Sequence, residues 1–303
     1  MKCKKTCKSK KSKLKALIAI KIILLVLLFL RNKGKEKRLK ENFPPIGNFI
    51  ESHGCNIHYF SQGEGENIVL LHGKEGSLFD FYLSDFWKKL TKKYKVTAID
   101  LAGYGNSSRE NYKNYGFKNQ SILIEDILEK LEVKNPILLG YEESCGIILN
   151  MVINKPNNYA SAILINDGLP EKISFYEKFL DLPILGDILL WTSLPIIKEL
   201  KLSCIKENLS SEYKEKIALD TSIKHIKTAY ENKKYMNLNE LEFNLAEKVK
   251  TPIKVISSIS SRKTPNIMNF TKKYFENIEN KYLGNYNSLD ALLNSDVFFE
   301  LFI

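Results

Sequence analysis

Five short apolar runs recur along the chain: Ile68 to Leu71, Val96 to Ile99, Ile137 to Leu139, Ala162 to Ile165 and Ile253 to Ile256. None alternates apolar with polar residues, so each predicts a strand buried on both faces. Between them lie segments with helical spacing. Phe79 to Leu90 is amphipathic, Ser121 to Leu131 carries apolar residues three and four apart, and Ile147 to Ile153 predicts a helix that ends near Pro156. Buried strands alternating with helices require a mostly parallel sheet covered on both sides. Ahead of this series, Phe49 to Glu51 and Ile57 to Ser61 predict two short strands paired across a turn at Gly54.

The pattern changes between Asp167 and Lys250. Phe175 to Leu182, Ile188 to Leu200 and Glu212 to Lys233 are helical or loop-like, with no strand run, and predict an inserted helical lid. The expected fold class is therefore α/β, a doubly wound and mostly parallel sheet with an inserted helical lid and an N-terminal membrane helix. The expected segments are a basic N-terminus (1–15), a transmembrane anchor (16–30), a basic linker (31–46), a first core part (47–167), the lid (168–248) and a second core part (249–303).

Charge separates the leader from the rest. The chain has a formal net charge of +11, yet Met1 to Lys40 holds 15 Lys/Arg against the single acid Glu36, so the remaining residues are slightly acidic. A nucleic-acid groove needs its positive charge on the folded face that meets phosphate, so nucleic acid is excluded as a partner. Ala16 to Leu30 is apolar except for Lys21 and is flanked by Lys and Arg on both sides. At ~1.5 Å per residue it reaches roughly 22 Å, short of a ~30 Å hydrocarbon core unless Lys21 snorkels. Phe29-Leu30-Arg31-Asn32-Lys33 offers no small-residue cleavage site, so the expectation is an uncleaved single-pass anchor with membrane lipid as partner. Dense charge on both flanks leaves the side of the membrane open. The five cysteines are too scattered for a disulfide framework or a zinc site, and neither a metal nor a cofactor is expected.

Three motifs stand in order on the predicted strands: Leu70-Leu71-His72-Gly73, Asp100-Leu101-Ala102-Gly103-Tyr104-Gly105-Asn106-Ser107, and Leu138-Leu139-Gly140-Tyr141. Together they resemble the α/β-hydrolase superfamily. Phe43-Pro44-Pro45-Ile46-Gly47, Gly76-Ser77-Leu78 and the stretch Pro183 to Leu190 are similar to its epoxide-hydrolase-like and haloperoxidase-like branch. The resemblance runs from Phe43 to Ile303 and places the lid after the sixth strand.

That family presents a nucleophile on a tight strand-to-helix turn, where the following backbone N–H faces the oxyanion. The corresponding turn here is Gly140-Tyr141-Glu142-Glu143-Ser144-Cys145-Gly146, and the resemblance puts the nucleophile position at Glu142. Moving it to Ser144 would break the register of the helix, Pro156 and the next strand, so Ser144 is expected as a close-packing residue and Cys145 as a small packing residue. The family's acid follows the seventh strand, and its position falls on Ser261. The histidine position falls near Asn287 or Ser288, and no histidine follows His225. Asp167, after the sixth strand, is the alternative acid. His72, Gly73, Lys74 and Glu143 form the implied oxyanion loop, and Glu75, Glu142 and Glu143 outnumber Lys74 at the pocket mouth.

All three triad positions are thus substituted. Removing one triad member typically costs ~10⁴ in rate. The expectation is a catalytically inactive or impaired protein that keeps a pocket for a small apolar ligand, with Leu182-Pro183-Ile184-Leu185 and Trp191 lining it or only packing the lid onto the core. The alternative is an active hydrolase of the ester or epoxide type that uses Glu142 as a carboxylate nucleophile, although a covalent ester would still need an activated water. No histidine is suited to activating it. His225 is expected exposed on a lid helix, and His53 and His58 belong to the opening strands, remote from the site.

Overall fold

The computed structural model describes residues 2–74, 76–108, 115–165, 173–182, 185–203, 211–236, 241, 243–257, 264–283 and 299. Eight strands form one sheet: β1 (Asn48–Ser52), β2 (Cys55–Gln62), β3 (Asn67–Leu71), β4 (Lys95–Ile99), β5 (Ile137–Tyr141), β6 (Ser161–Ile165), β7 (Ile253–Ser257) and β8 (Ile278–Tyr282). Their spatial order is β1-β2-β4-β3-β5-β6-β7-β8. The β1/β2 and β2/β4 pairs are antiparallel and all others parallel.

Successive residues of one strand enter opposite cores, which is why the runs are largely apolar. Val69 and Leu71 pack with α4 (Phe117–Lys130), α5 (Ser144–Asn154) and α10 (Thr264–Tyr274), while Ile68 and Leu70 pack with α2 (Phe79–Tyr82) and α3 (Asp85–Leu90). The single amphipathic helix expected over Phe79 to Leu90 is two. Ser84 breaks it and caps α3, its Oγ accepting the Trp87 N–H.

Strand order reverses at β3, whose neighbours are β4 and β5. The chain leaves β3 toward α2 and leaves β5 toward α5 on the other face, so the carboxyl ends of these two strands border a crevice. The segment between β6 and β7 is helical among the described residues: α6 (Phe175–Lys178), α7 (Leu185–Ser203), α8 (Ser211–Asp220) and α9 (Ile223–Tyr235). It has its own small core of Leu180, Leu190, Leu194, Ile226 and Tyr230. The helix expected over Glu212 to Lys233 divides at Thr221-Ser222, where Ser222 Oγ caps α9 by accepting the His225 N–H. The insertion lies over the carboxyl edge of the sheet. Lys224 Nζ donates to the carbonyls of Gly105 and Ser107, Thr228 Oγ1 to that of Gly103, and Asn232 Nδ2 to Tyr104 Oη.

The N-terminal helix α1 (Lys2–Asn42) runs unbroken through both the apolar stretch and the expected linker. Among the described residues no helix is long and apolar enough to cross a membrane, so the expected spanning segment is not found. The reason is length against charge: the apolar stretch is fifteen residues, Lys21 interrupts it, and extending it in either direction recruits further Lys and Arg. Instead α1 packs on the insertion. Phe29 meets the Trp191 ring edge-on at 4.6 Å, Asn32 Nδ2 donates to the Trp191 carbonyl at 3.3 Å, and Asn42 Nδ2 donates to Glu215 at 3.0 Å.

Candidate active site

Glu142 stands directly after β5 with φ of 51°, the left-handed region that a residue with a Cβ enters at a cost of about 1–2 kcal/mol. Neighbouring hydrogen bonds fix it there. Its N–H donates to the Ile165 carbonyl, Cys145 N–H donates back to the Glu142 carbonyl, and the buried Ser144 Oγ accepts the Tyr141 N–H while lying 2.8 Å from the carbonyls of Leu71 and Tyr141. Ser144 is therefore bound into the turn. Cys145 is equally buried, its Sγ against the carbonyls of Gly140 and Ile165.

The loop after β3 faces this turn. His72 is fully buried; its Nε2 accepts the Leu101 N–H at 3.0 Å and its Nδ1–H donates to the Gly73 carbonyl at 2.8 Å. Burial pushes its pKa down, which agrees with a neutral ring held by both nitrogens. Gly73 has no room for a side chain, because a Cβ would come 2.5 Å from the Tyr141 ring and 2.7 Å from Glu142 Oε2. The half-buried Glu142 carboxylate thus lies against this loop and accepts the main-chain N–H of Lys74. Burial, reinforced by the charge of Asp80, pushes its pKa up to about 7 against the opposing pull of Lys74 and Lys201. Glu143 occupies the cap position of α5 and makes no side-chain capping bond.

An ionic cluster links α2 to α8. Tyr213, Lys216 and Asp220 recur at helical spacing on one face of α8, and Lys216 Nζ contacts Asp80 while lying 2.7 Å from Asp220 Oδ2. Tyr213 Oη and Ser77 Oγ approach Asp80 and Asp220 respectively at 3.4 Å. Burial would lower the Lys216 pKa, but Asp220 and Asp80 outweigh it and hold the ammonium charged. Burial together with Asp80 pushes Asp220 up to about 7 against the attraction of Lys216. The physical cause is charge count: three carboxylates, Glu142, Asp80 and Asp220, share this region with one deeply buried ammonium.

One histidine differs from expectation. His225 is buried, not exposed, because the break before α9 turns its first residues toward the core. Its Nδ1 lies 2.7 Å from the Asp220 carbonyl and its ring 5.9 Å from that of Tyr104, while burial, and next the charge of Lys224, pushes its pKa down to about 4. His58, on β2, is tied to the Asp100 motif. Its Nδ1 lies 2.8 Å from Asp100 Oδ2, and the Asp100 carboxylate also accepts the N–H groups of Leu78 and Asn106. Burial would raise the Asp100 pKa, but the bond from His58 and the neighbouring imidazoles hold it below the usual range. Asp100 thereby ties the turn after β4 to the segment that follows the His72 loop.

Leu182 and Leu185 face outward and Trp191 leans on α1, so these three residues do not line a cavity under the insertion. The insertion instead turns charged groups inward. Ser261, Asn287, Ser288, Asp167, Glu75, Pro183 and Ile184 lie outside the described residues. The cluster of Asp80, Tyr213, Lys216 and Asp220 is missed by sequence reasoning. Its one signal is that the three α8 residues share the helix face of the buried Ile217.

A family model described as the alpha/beta hydrolase fold matches residues 66–181. The uncharacterized hydrolase YugF of Bacillus subtilis is 29% identical over 127 residues, 41% of this chain and 45% of that protein. The cis-3-alkyl-4-alkyloxetan-2-one decarboxylase of Shewanella oneidensis is 26% identical over 123 residues, 40% of this chain and 38% of that protein. In both cases the match spans less than half of the relative's length. Among solved structures, the Cif epoxide hydrolase from Acinetobacter nosocomialis superposes with a TM-score of 0.72 at 16% identity, covering 89% of this chain and 94% of that one. Sheet order, the strained turn after β5 and these matches agree: the chain has the α/β-hydrolase fold, and its residues 66–181 match that family's model.

Proposed function

We propose that the protein is a membrane-associated α/β-hydrolase relative whose chemistry is silent or severely impaired. The observation that carries this reading is the Glu142 carboxylate accepting the Lys74 main-chain N–H. By family resemblance that N–H belongs to the oxyanion hole, and Glu142 fills it with an anion of the protein itself. A substrate oxyanion would have to displace a carboxylate that is tethered and already bonded. The positions carried over for acid and base, Ser261 and Asn287 or Ser288, are hydroxyl or amide residues that neither orient nor replace an imidazole. Under this reading the family pocket, shut by the inserted helices acting as a lid, serves at most to hold a small amphiphilic ligand. The α1 helix keeps the protein at an anionic membrane surface, where each nearby Lys or Arg contributes about 1 kcal/mol.

The test is turnover by the full chain on chromogenic esters and epoxides between about pH 5 and 9. No rate above the uncatalysed reaction is expected. Steady turnover that disappears in Glu142→Gln would overturn the reading.

One observation favours a second reading, in which Glu142 is a working nucleophile. The lid supplies a buried His225 whose Nδ1–H is held by the Asp220 carbonyl, leaving Nε2 as a lone-pair acceptor. A pKa near 4 makes that imidazole a weak base. Under the second reading His225→Gln trapping a covalent ester on Glu142, visible as a mass shift, is the expected signature.

A further inference from the structure

The outward face of the insertion is apolar where a water-soluble surface would be polar. On α7, Gly186, Leu190 and Leu194 face the insertion's own core, and the opposite side presents Leu185, Ile188, Thr192, Ile196 and Leu200 at intervals of three and four residues. Leu185 and Ile196 are each 62% exposed and Leu200 59%. Phe175, on the preceding α6, is 77% exposed. One face of a helix carrying four large exposed aliphatic side chains, with an aromatic beside it, marks a surface that something apolar covers.

The neighbouring α1 says what that is. Between Leu17 and Leu30 nine large apolar side chains stand exposed, with Lys21 the one charged residue among them. Exposed Lys15, Lys21, Arg31, Lys33, Lys35, Lys37 and Arg38 flank or interrupt it. An apolar stripe bordered by exposed cations complements an anionic lipid surface, whose headgroups meet the cations while its acyl region takes the aliphatic groups. The contact between Phe29 and Trp191 fixes α1 against α7, so the two apolar surfaces are held together.

We infer that α1 and the outward face of α6 and α7 form one docking surface that seats in the plane of an anionic bilayer. The stretch of α1 is too short to cross the hydrocarbon and therefore enters it partway, to the depth at which α7 meets the interface. The helices that roof Glu142 are then the part of the molecule in contact with lipid. This inference rests on the membrane association proposed above and extends it from α1 to the insertion.

The test uses the full chain and vesicles of equal phosphatidylglycerol and phosphatidylcholine in a flotation assay, with phosphatidylcholine vesicles as the neutral arm. Leu185→Gln, Ile188→Gln, Ile196→Gln and Leu200→Gln are combined in one variant, and Ile23→Gln, Leu24→Gln and Leu27→Gln in another. All seven side chains are exposed, and an unchanged cooperative thermal melt verifies folding. The α7 variant is expected to lower partitioning onto anionic vesicles by at least about a hundredfold, given ~25 cal/mol per Å² of apolar surface. Neutral vesicles and added salt are expected to weaken the wild type. If the α1 variant loses binding while the α7 variant partitions like the wild type, the inference falls and membrane association through α1 stands. If the wild type ignores both vesicles, both fall. A wild type that is a dimer without lipid and becomes a monomer in the α7 variant would assign the face to a second copy of the chain and also overturn the inference.

Discussion

Lys216 of α8 reaches Asp80 of α2, and this cation–carboxylate contact, with both side chains largely withdrawn from water, fastens the inserted helices to the body of the protein. Lys216→Met leaves Asp80 and Asp220 buried without their counter-ion. A loss of about 3–5 kcal/mol in chemical denaturation is expected. Adding Asp80→Asn and Asp220→Asn to Lys216→Met removes the stranded charges and is expected to recover at least about half of that loss. A triple variant no better than the single one would show that the contact holds shape rather than balancing charge.

The raised pKa of Glu142 sets a sign for its effect on stability. Its carboxyl titrates near 4.5 when free and near 7 in the fold, so the folded state holds the proton more tightly. Its contribution is complete below about pH 4.5 and is lost as the pH climbs through 7. Glu142→Gln is therefore expected to gain stability over the wild type progressively between those values, by roughly 2 kcal/mol once partial solvent access is allowed for. Urea midpoints of both proteins from pH 4.5 to 8 measure this, and parallel curves would refute it.

His225 runs the other way. Its pKa falls from 6.5 to about 4 on folding, so its contribution is present above 6.5 and drains away as the pH drops toward 4. His225→Gln is expected to flatten the acid limb of the wild-type stability profile by about 2 kcal/mol or more, measured by thermal melts at closely spaced pH.

The left-handed φ at Glu142 gives a separate test. Glu142→Gly removes the Cβ strain as well as the carboxylate, so at pH 5 it is expected to be about 1 kcal/mol more stable than Glu142→Gln. Equality of the two would mean that the turn is unstrained.

At Gly105, with φ of 48°, the space where a Cβ would stand is filled by the Asp100 carboxylate. Gly105→Ala is expected to cost about 2 kcal/mol or more, by displacing the acceptor that also receives the Leu78 and Asn106 N–H groups. A cost below about 0.5 kcal/mol in denaturant titration would contradict this.

The sheet is legible in the sequence because a strand buried on both faces has to be apolar at every position, as Ile68 to Leu71 and Ala162 to Ile165 are. β8 escapes because it is an edge strand, Ile-Glu-Asn-Lys-Tyr, whose polar side chains face water. The turn after β5 is legible through motif spacing, which locates a backbone conformation without knowing its side-chain partners. Lys216 is not, since a lysine on a helix resembles any solvated lysine until tertiary contacts supply two carboxylates. His225 defies its sequence expectation for a related reason: whether a helical histidine is buried depends on where the helix breaks, and Ser222 moves that break. The outward residues Leu182 and Leu185 of the insertion mislead because apolar character indicates avoidance of water but not what else is nearby.

The docking of α1 on the insertion has a consequence during synthesis. Asn32 and Trp191 are 159 positions apart, so the surface that receives α1 is made long after α1 leaves the ribosome. At about 5–20 residues per second the apolar stretch waits roughly ten to thirty seconds without its partner helices. A nascent chain with such a delay has to keep this apolar helix shielded until the insertion that receives it has been made.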